Sequence, residues 1–459
     1  MVARAVVIAA PASGSGKTTI ATGLMGALRS AERSVAPFKV GPDYIDPGYH
    51  AVAAGRPGRN LDAVLCGPER IAPLYRHGAA GCDVAVVEGV MGLFDGRITA
   101  DETAGVGAVG IGSTADVAAA LHAPVVLVVD ARGHSQSLAA VLAGFCAFRS
   151  DVAVAGVILN RVSSPRHERV LRAAAAHAGL EVLGAVPSAE AIAVPERHLG
   201  LIPAVERAAA AVDAEGAMTE LVAAHVDVRR VADLAARVPD GRAWDPAAEV
   251  SIVAVRPVVA LAGGPAFSFG YAEHEELLTA AGADVRRFDP LVDELPPGAT
   301  AAILPGGFPE MFAAQLSANT ALRAQIRALV DGGGVVHAEC AGLLYLAREL
   351  DGVEMAAAVP ASAAFTPRLT LGYRDAVALG DSFLHRAGER VTGHEFHRTE
   401  VVRDRGAADG AAGPAWGWRT DAGQTVTDGF AGPHVHASYL HTHPAGNPTS
   451  VERLVRAAG

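Results

Sequence analysis

Aromatic residues and cysteines are scarce in this chain of 459 residues: 5% is Phe, Trp or Tyr, and there are 4 cysteines. Cys66, Cys82, Cys146 and Cys340 lie far apart and form no CxxC pair. That spacing argues against a disulfide framework and a thiolate zinc site, and it fits a reducing cytoplasm. No apolar run reaches the roughly 18 residues of a spanning helix, so no membrane segment is expected. The stretch 5–10 behind Arg4 is too short for the apolar core of a signal peptide. Positive charge is also thin. Lys and Arg number 38 against 49 Asp and Glu, a formal net charge of -11, with no dense basic block. A nucleic-acid partner is therefore not expected; the acidity reads as solubility.

What is abundant is small and apolar. The chain is 51% hydrophobic and rich in Ala, Gly and Val. It is long enough for two or three domains with ample cores. Brief apolar runs (AVVIAA, VAVVEG, APVVLVVD, VAVAGVILN, EVLGAVP) alternate with Ala-rich helical stretches. Such runs suit strands buried on both faces of a parallel sheet, joined by helices. From about Val205 to Val238 the pattern is helical; Pro239, Asp240-Gly241 and Trp244-Asp245-Pro246 then mark a boundary. A second α/β series follows, in RPVVALAGG, ADVRRFDP, TAAILPGGFPE and GGVVHAEC. Beyond Gly352 only short strand-like pieces are expected, with a surface loop over Arg403–Gly417. The expected division is 1–203, a helical segment and linker at 204–250, and a second domain at 251–446.

Two places carry chemistry. Ser13-Gly14-Ser15-Gly16-Lys17-Thr18-Thr19 follows a predicted strand and precedes a predicted helix, the setting of a phosphate-binding loop. Small residues let backbone N–H groups close on phosphate oxygens, and the helix N-terminus adds favourable charge. Lys17 would reach the β- and γ-phosphates, and the Thr18 hydroxyl would bind Mg²⁺ alongside Glu88, which ends a strand. Pro11 stands where the first glycine of that motif belongs. Asp95, in GLFDG, is either a neighbour of this site or a turn aspartate. In Phe38–Pro47, Lys39 comes after a strand and meets Asp43, Tyr44 and Asp46 in a Pro/Gly-restrained loop. That set can hold a transferred phosphoryl group and substrate, although Asp and Pro also suit plain turns.

The second place surrounds Cys340, between the strand-like VVHAE and an apolar helix. Small neighbours and a tight strand-to-helix turn are the features of a nucleophile elbow. A helix N-terminus would lower the thiol pKa. Gly307, after a predicted strand, and the N–H of Ala341 are the expected oxyanion donors. The base should be a histidine. The tail offers His394, His397, His434, His436, His441 and His443. Of these, His441 ends the strand-like ASYL run, with His443 in reserve.

These motifs together resemble the corrinoid a,c-diamide synthases. The resemblance rests on GPDYIDP with His50, on EGVMGLFDG at Glu88–Gly96 and on ERHLGL at Glu196–Leu201. It implies an N-terminal P-loop domain of the dethiobiotin-synthetase type, built on a parallel sheet. It also implies a C-terminal cobBQ-type class I glutamine amidotransferase domain. Asn160, by the same resemblance, faces the adenine. The implied reaction is amidation of the a and c acetates of cobyrinate or hydrogenobyrinate, using ATP, Mg²⁺ and L-glutamine. Cys340 and His441 would release ammonia, and an acyl phosphate would capture it. A sheltered ammonia path is expected, because free ammonia is mostly protonated near neutrality. Alternatives are a nickel-sirohydrochlorin a,c-diamide synthase, a cobyric-acid-type synthase, and a regulator without enzymatic activity. A homodimer is allowed, not required. Ordinary class I members carry a His-Pro-Glu acid; here His443-Pro444 is followed by Ala445. The third catalytic member is therefore either missing or an acid from elsewhere.

Overall fold

The computed structural model describes residues 2–98, 110–188, 208–404, 412–420 and 422–459. The ERHLGL segment lies outside them. The chain forms two compact units, Met1–Trp244 and Asp245–Gly459.

In the first unit the five apolar runs form β1 (Arg4–Ala9), β4 (Val84–Glu88), β5 (Val125–Asp130), β6 (Val154–Val162) and β7 (Val182–Pro187). With β2 (Val35–Val40) and β3 (Arg59–Leu61) they make one parallel sheet, in the order β3-β2-β4-β1-β5-β6-β7. Their side chains are buried on both faces, as continuous Val/Ala/Ile runs require. β1 leads through the P-loop into α1 (Lys17–Ser30), and the loop after β2 leads into α2 (Asp46–Ala54). Further helices are α3 (Ile71–Gly78), α4 (Thr114–Leu121), α5 (Leu138–Ala147) and α6 (Pro165–His177). The Ala-rich segment gives α7 (Ala208–His225) and α8 (Val228–Leu234). Within this unit α7 lies directly on α1. A methyl on Gly23 would sit 2.3 Å from the Met218 carbonyl, and one on Gly26 1.9 Å from the Thr219 hydroxyl. Glycine inside a helix is unfavourable by about 1 kcal/mol relative to Ala; here it permits the close approach of the two backbones.

In the second unit β8 (Val258–Ala262), β9 (Asp284–Phe288), β10 (Ala299–Leu304) and β11 (Val335–Glu339) arise from the four predicted runs. They join β18 (Phe430–Ala431) and β19 (Val435–Ser438) in the order β18-β19-β11-β10-β8-β9. α9 (Ala272–Ala280), α10 (Pro309–Ala318), α11 (Thr320–Asp331), α12 (Ala341–Leu346) and α13 (Pro448–Ala458) surround this sheet. Alternation divides its two faces. Val336 and Ala338 of β11 enter the apolar core with Val435 and Ala437 of β19. His337 and Glu339 share the opposite face with His436 and Ser438.

The tail departs from the expected short pieces. β14 (Ala361–Ala378) and β15 (Arg390–Arg403) are 18 and 14 residues long and pair antiparallel. Most of their side chains are half-buried or exposed, so no period-2 apolar signal announces them. They belong with β12 (Glu349–Leu350), β13 (Val353–Glu354), β16 (Trp416–Arg419) and β17 (Thr425–Asp428) in a third sheet. The loop expected over 403–417 is also corrected at both ends. Arg403 closes β15, while Trp416 opens β16 and is buried, its indole N–H donating to Ser438 Oγ at 3.2 Å.

Candidate active sites

At the C-terminal end of β1, Gly14 (φ 75°) and Gly16 (φ 91°) take the left-handed backbone that the loop requires. Ser15 Oγ donates to the Ala12 carbonyl at 2.8 Å. Ser13 is exposed on the loop, and Thr19 lies in the first turn of α1. Lys17 is not a solvated lysine. It is buried, and Nζ donates to the Met91 carbonyl at 2.6 Å and more weakly to Ala12 at 3.4 Å. Burial pulls its pKa down to about 8; Glu88 opposes this and Lys39 adds to it. The EGVMGLFDG loop is pinned to the P-loop by Leu93 N–H, which donates to the Ala10 carbonyl at 2.8 Å. Asp95 accepts the Gly92 N–H at 2.8 Å as a turn aspartate does, and its charge also acts on Lys17.

Parallel register sets Lys39 beside Glu88 on β2 and β4. Lys39 therefore stands inside β2 rather than after it, and its side chain is buried among acids. Its Nζ lies 2.6 Å from Asp46 Oδ2, 2.9 Å from Glu88 Oε1 and 3.6 Å from Asp43 Oδ2. Thr18 Oγ1 donates within the same group, 2.7 Å from Glu88 and 3.1 Å from Asp46. His50 Nε2 lies 2.7 Å from the other Glu88 oxygen. Burial alone would raise the Glu88 pKa; the Lys39 ammonium and the His50 hydrogen bond overcome it and hold the carboxyl at about 2. Burial works against the Lys39 charge as well, but Asp46 and Glu88 raise its pKa above the ordinary lysine value.

A hydroxyl and two carboxylates are hard oxygen ligands of the kind Mg²⁺ accepts while keeping several waters. Among the described residues no group of three or more His, Cys, Asp or Glu side chains has metal-holding geometry. The Thr18 hydroxyl and the Asp46 and Glu88 carboxylates are hard oxygen ligands of that kind.

Asp43 shapes its loop, accepting the Ile45 and Asp46 N–H groups at 2.9 and 3.0 Å. Tyr44 is buried beside it in the chain. Asn60, which no motif marks, holds the loop by donating to the Gly41 and Asp43 carbonyls at 2.8 and 2.7 Å. Asn160 stands within β6 and donates to the Ser15 carbonyl at 3.0 Å. A methyl on Gly16 would meet the Asn160 amide at 2.2 Å, and φ 91° would strain any other residue there. Arg161, also unmarked by any motif, has φ 59° and donates to the Gly14 carbonyl at 2.8 Å and to Asp130 at 2.6 Å.

In the second unit Cys340 forms a strained elbow, with φ 47° and ψ -100° between β11 and α12. A non-glycine residue held at positive φ is costly, and such strain gathers at functional sites. A methyl on Gly342 would lie 2.1 Å from the Leu304 carbonyl, so the turn fits only a small residue there. Ala341 is the first residue of α12 and has no positive φ, so its Cβ is tolerated. The loop with Gly306 and Gly307 leaves β10, the neighbour of β11, at the same sheet end. Gly307 is packed on the Ala266 carbonyl, where a methyl would approach to 2.0 Å. A methyl on Gly306 would strike the His441 ring at 2.2 Å.

Backbone N–H and C=O groups of His394 and His441 exchange hydrogen bonds of 2.9 Å, bringing β15 over the site. Cys340 Sγ lies 3.7 Å from the Phe396 carbonyl of that strand. The neighbouring His397 ring stacks on Tyr439 at 3.7 Å. His443 is used locally, its Nδ1 accepting the Ala445 N–H at 3.2 Å.

The expected lowering of the thiol pKa is not what the structure gives. Burial raises it, and the Glu310, Glu339 and Asp428 carboxylates add to this against one hydrogen bond from the Ala341 N–H. α12 spans six residues, too short a helix to offset that burial. The resting sulfur is a neutral thiol, and the imidazole of His441 is neutral as well. Burial, then His394 and His397, press the His441 pKa down to about 3.

Comparison with known proteins agrees with both halves. Residues 6–202 match the CobQ/CobB/MinD/ParA nucleotide binding domain. Residues 258–449 match the CobB/CobQ-like glutamine amidotransferase domain. A hydrogenobyrinate a,c-diamide synthase from Mycobacterium tuberculosis is 58% identical, over 99% of this chain and 98% of its own. Another, from Streptomyces coelicolor, is 51% identical over 98% and 96%. A cobyrinate a,c-diamide synthase from Gloeobacter violaceus is 41% identical over 98% and 96%. Identity of this extent across the full length places the chain in the corrinoid a,c-diamide synthase family.

Proposed function

We propose that this chain is a glutamine-hydrolysing carbon–nitrogen ligase that amidates the a and c acetates of hydrogenobyrinate at the expense of ATP. The observation that carries the reading is the Lys39–Asp46–Glu88–Thr18 cluster beside a P-loop, in a chain that also presents a cysteine elbow. Cys340 attacks the side-chain amide carbon of glutamine. His441 takes the thiol proton and passes it to the departing ammonia, while the Gly307 and Ala341 N–H groups hold the oxyanion. Water then releases glutamate from the thioester.

At the other site a substrate carboxylate attacks the γ-phosphorus. Lys17 and Lys39 hold the charge that spreads over the phosphoryl oxygens. Ammonia displaces phosphate from the acyl phosphate and leaves the amide. Thr18, Glu88 and Asp46 would hold Mg²⁺ carried in with ATP, which would supply further charge neutralisation. Ser13–Thr19 and Asn160 cradle the nucleotide, and Asp43, Tyr44 and Asp46 shape the acceptor side. Residues 1–203 carry the synthetase chemistry, 204–250 buttress and link, and 251–446 carry the glutaminase. Small-molecule substrates, no nucleic-acid partner and a cytoplasmic setting belong to the same reading; among the described residues no helix is long and apolar enough to cross a membrane.

Offering hydrogenobyrinate and cobyrinate separately, with ATP, Mg²⁺ and glutamine, tests this. Mass spectrometry should show OH replaced by NH₂ at the a and c acetates of the metal-free ring. Conversion of cobyrinate alone would move the proposal to the cobalt-bearing substrate; inertness toward both would overturn it.

A further inference from the structure

We propose that Glu339, the residue immediately before the nucleophile, is the positioning acid for His441. This rests on the glutaminase reading above. His441 lacks the acid of an ordinary His-Pro-Glu arrangement, since His443 stands two residues after it. Glu339 reaches the same imidazole from the other direction. Its Oε2 is 3.9 Å from His441 Nδ1, longer than a hydrogen bond but within ion-pair reach. Its Oε1 accepts the Thr442 N–H at 3.0 Å and the Thr442 hydroxyl at 2.8 Å. One buried carboxylate thus ties the end of the nucleophile's strand to the residue after the base. Strand alternation puts it there: Glu339 shares the polar face of β11 and β19, opposite the apolar core.

In the reaction the Cys340 thiol proton moves to His441 Nε2 as sulfur bonds to the amide carbon. Nδ1–H then points at an ionised Glu339, which stabilises the imidazolium. The same proton leaves with ammonia, and Glu339 stays ionised throughout. Its surroundings make its charge responsive to pH. Burial raises the carboxyl pKa to about 7, against the two Thr442 hydrogen bonds. The groups facing it are His337 Nε2 at 3.6 Å, His441, and Cys340 next in the chain. His436 of β19 and His274 of α9 flank His337 with ring centroids at 6.0 and 6.1 Å. His443 follows Thr442 in the loop and acts on His274. Burial keeps His337, His436 and His274 neutral near pH 7.

Glu339→Gln separates the two roles of this side chain. The amide oxygen can still accept from Thr442, whereas the negative charge is lost. Glutamine hydrolysis should lose roughly 10- to 100-fold in kcat with KM changed less than about twofold. The wild-type rate should rise with pH through the neutral range as Glu339 ionises, and that limb should vanish in the variant. Thr442→Val, which removes only a latch bond, should keep the limb. A variant with wild-type kcat and an unchanged profile would overturn the proposal. Cys340→Ser assayed alongside isolates the parent reading: if it also hydrolyses glutamine normally, the glutaminase assignment fails instead. Should Glu339→Gln not fold, nitrogen NMR of His441 in a Cys340→Ala chain decides. An Nδ1-protonated ring supports the positioning role, and an Nε2-protonated ring overturns it.

Discussion

Cys340→Ser is expected to abolish amidation with glutamine, by on the order of 10³-fold or more, while amidation with added ammonium salt continues. The variant is expected to fold. Serine has the size of cysteine and can occupy the same positive-φ elbow, where a β-branched or larger residue would strain further. The loss arises in proton transfer. The thiol rests neutral, with burial and the Glu310, Glu339 and Asp428 carboxylates all opposing the thiolate. On the proposed mechanism its activation therefore depends on transfer to His441 with glutamine in place, not on a standing anion. A serine hydroxyl is far less acidic still and will not yield its proton to an imidazole this weakly basic. Product mass with each nitrogen source, together with glutamate release, measures both halves. Normal glutamine hydrolysis by the serine variant would end the assignment of Cys340 as nucleophile.

The strands that carry both sites were readable because their chemistry is local. Buried parallel strands are continuous apolar runs, and a P-loop or an elbow is a run of small residues around one reactive side chain. Glu88 could be read as a strand-end carboxylate for the same reason. What could not be read is set by register and by facing loops. Nothing near Lys39 in sequence shows that β4 will place Glu88 at 2.9 Å, or that His50 will cap its second oxygen at 2.7 Å. Asn60 and Arg161 act through backbone carbonyls of loops far away in the chain, which no spacing rule reports. The elbow suggested a depressed thiol pKa because a helix start is visible in sequence, whereas burial and three surrounding carboxylates are not. The long β14–β15 pair escaped because half-buried strands carry no clean alternation. Glu339 stood in plain view before Cys340, but its role depends on where Thr442 returns.

The other large effect belongs to Lys39→Met. Methionine keeps most of the volume and removes the charge, so the result reports on electrostatics rather than on a cavity. Three carboxylates, those of Asp43, Asp46 and Glu88, then face one another without their shared ammonium. Removing one partner of a buried ion pair is unfavourable by about 3–5 kcal/mol, because the remaining charge stays desolvated. In the wild type the Glu88 pKa lies near 2, below its unfolded value of 4.5. Its pairing therefore stabilises the fold above pH 4.5 and is lost as pH falls toward 2. In the variant that contribution disappears, the Glu88 pKa rises, and the first unit should melt at a lower temperature near pH 7. Added Mg²⁺ should recover part of the loss, since the buried oxygen set accepts a divalent cation in place of the ammonium. Amidation with ammonium salt should fall by about 10²- to 10³-fold, as expected when one donor to a developing phosphoryl charge is removed. Glutamine hydrolysis, proposed at Cys340, uses none of these groups and serves as the internal control in the same preparation. If ammonia-dependent amidation survives within about twofold, Lys39 is a structural counter-ion for Glu88 and Asp46 alone, and the phosphoryl charge rests on Lys17.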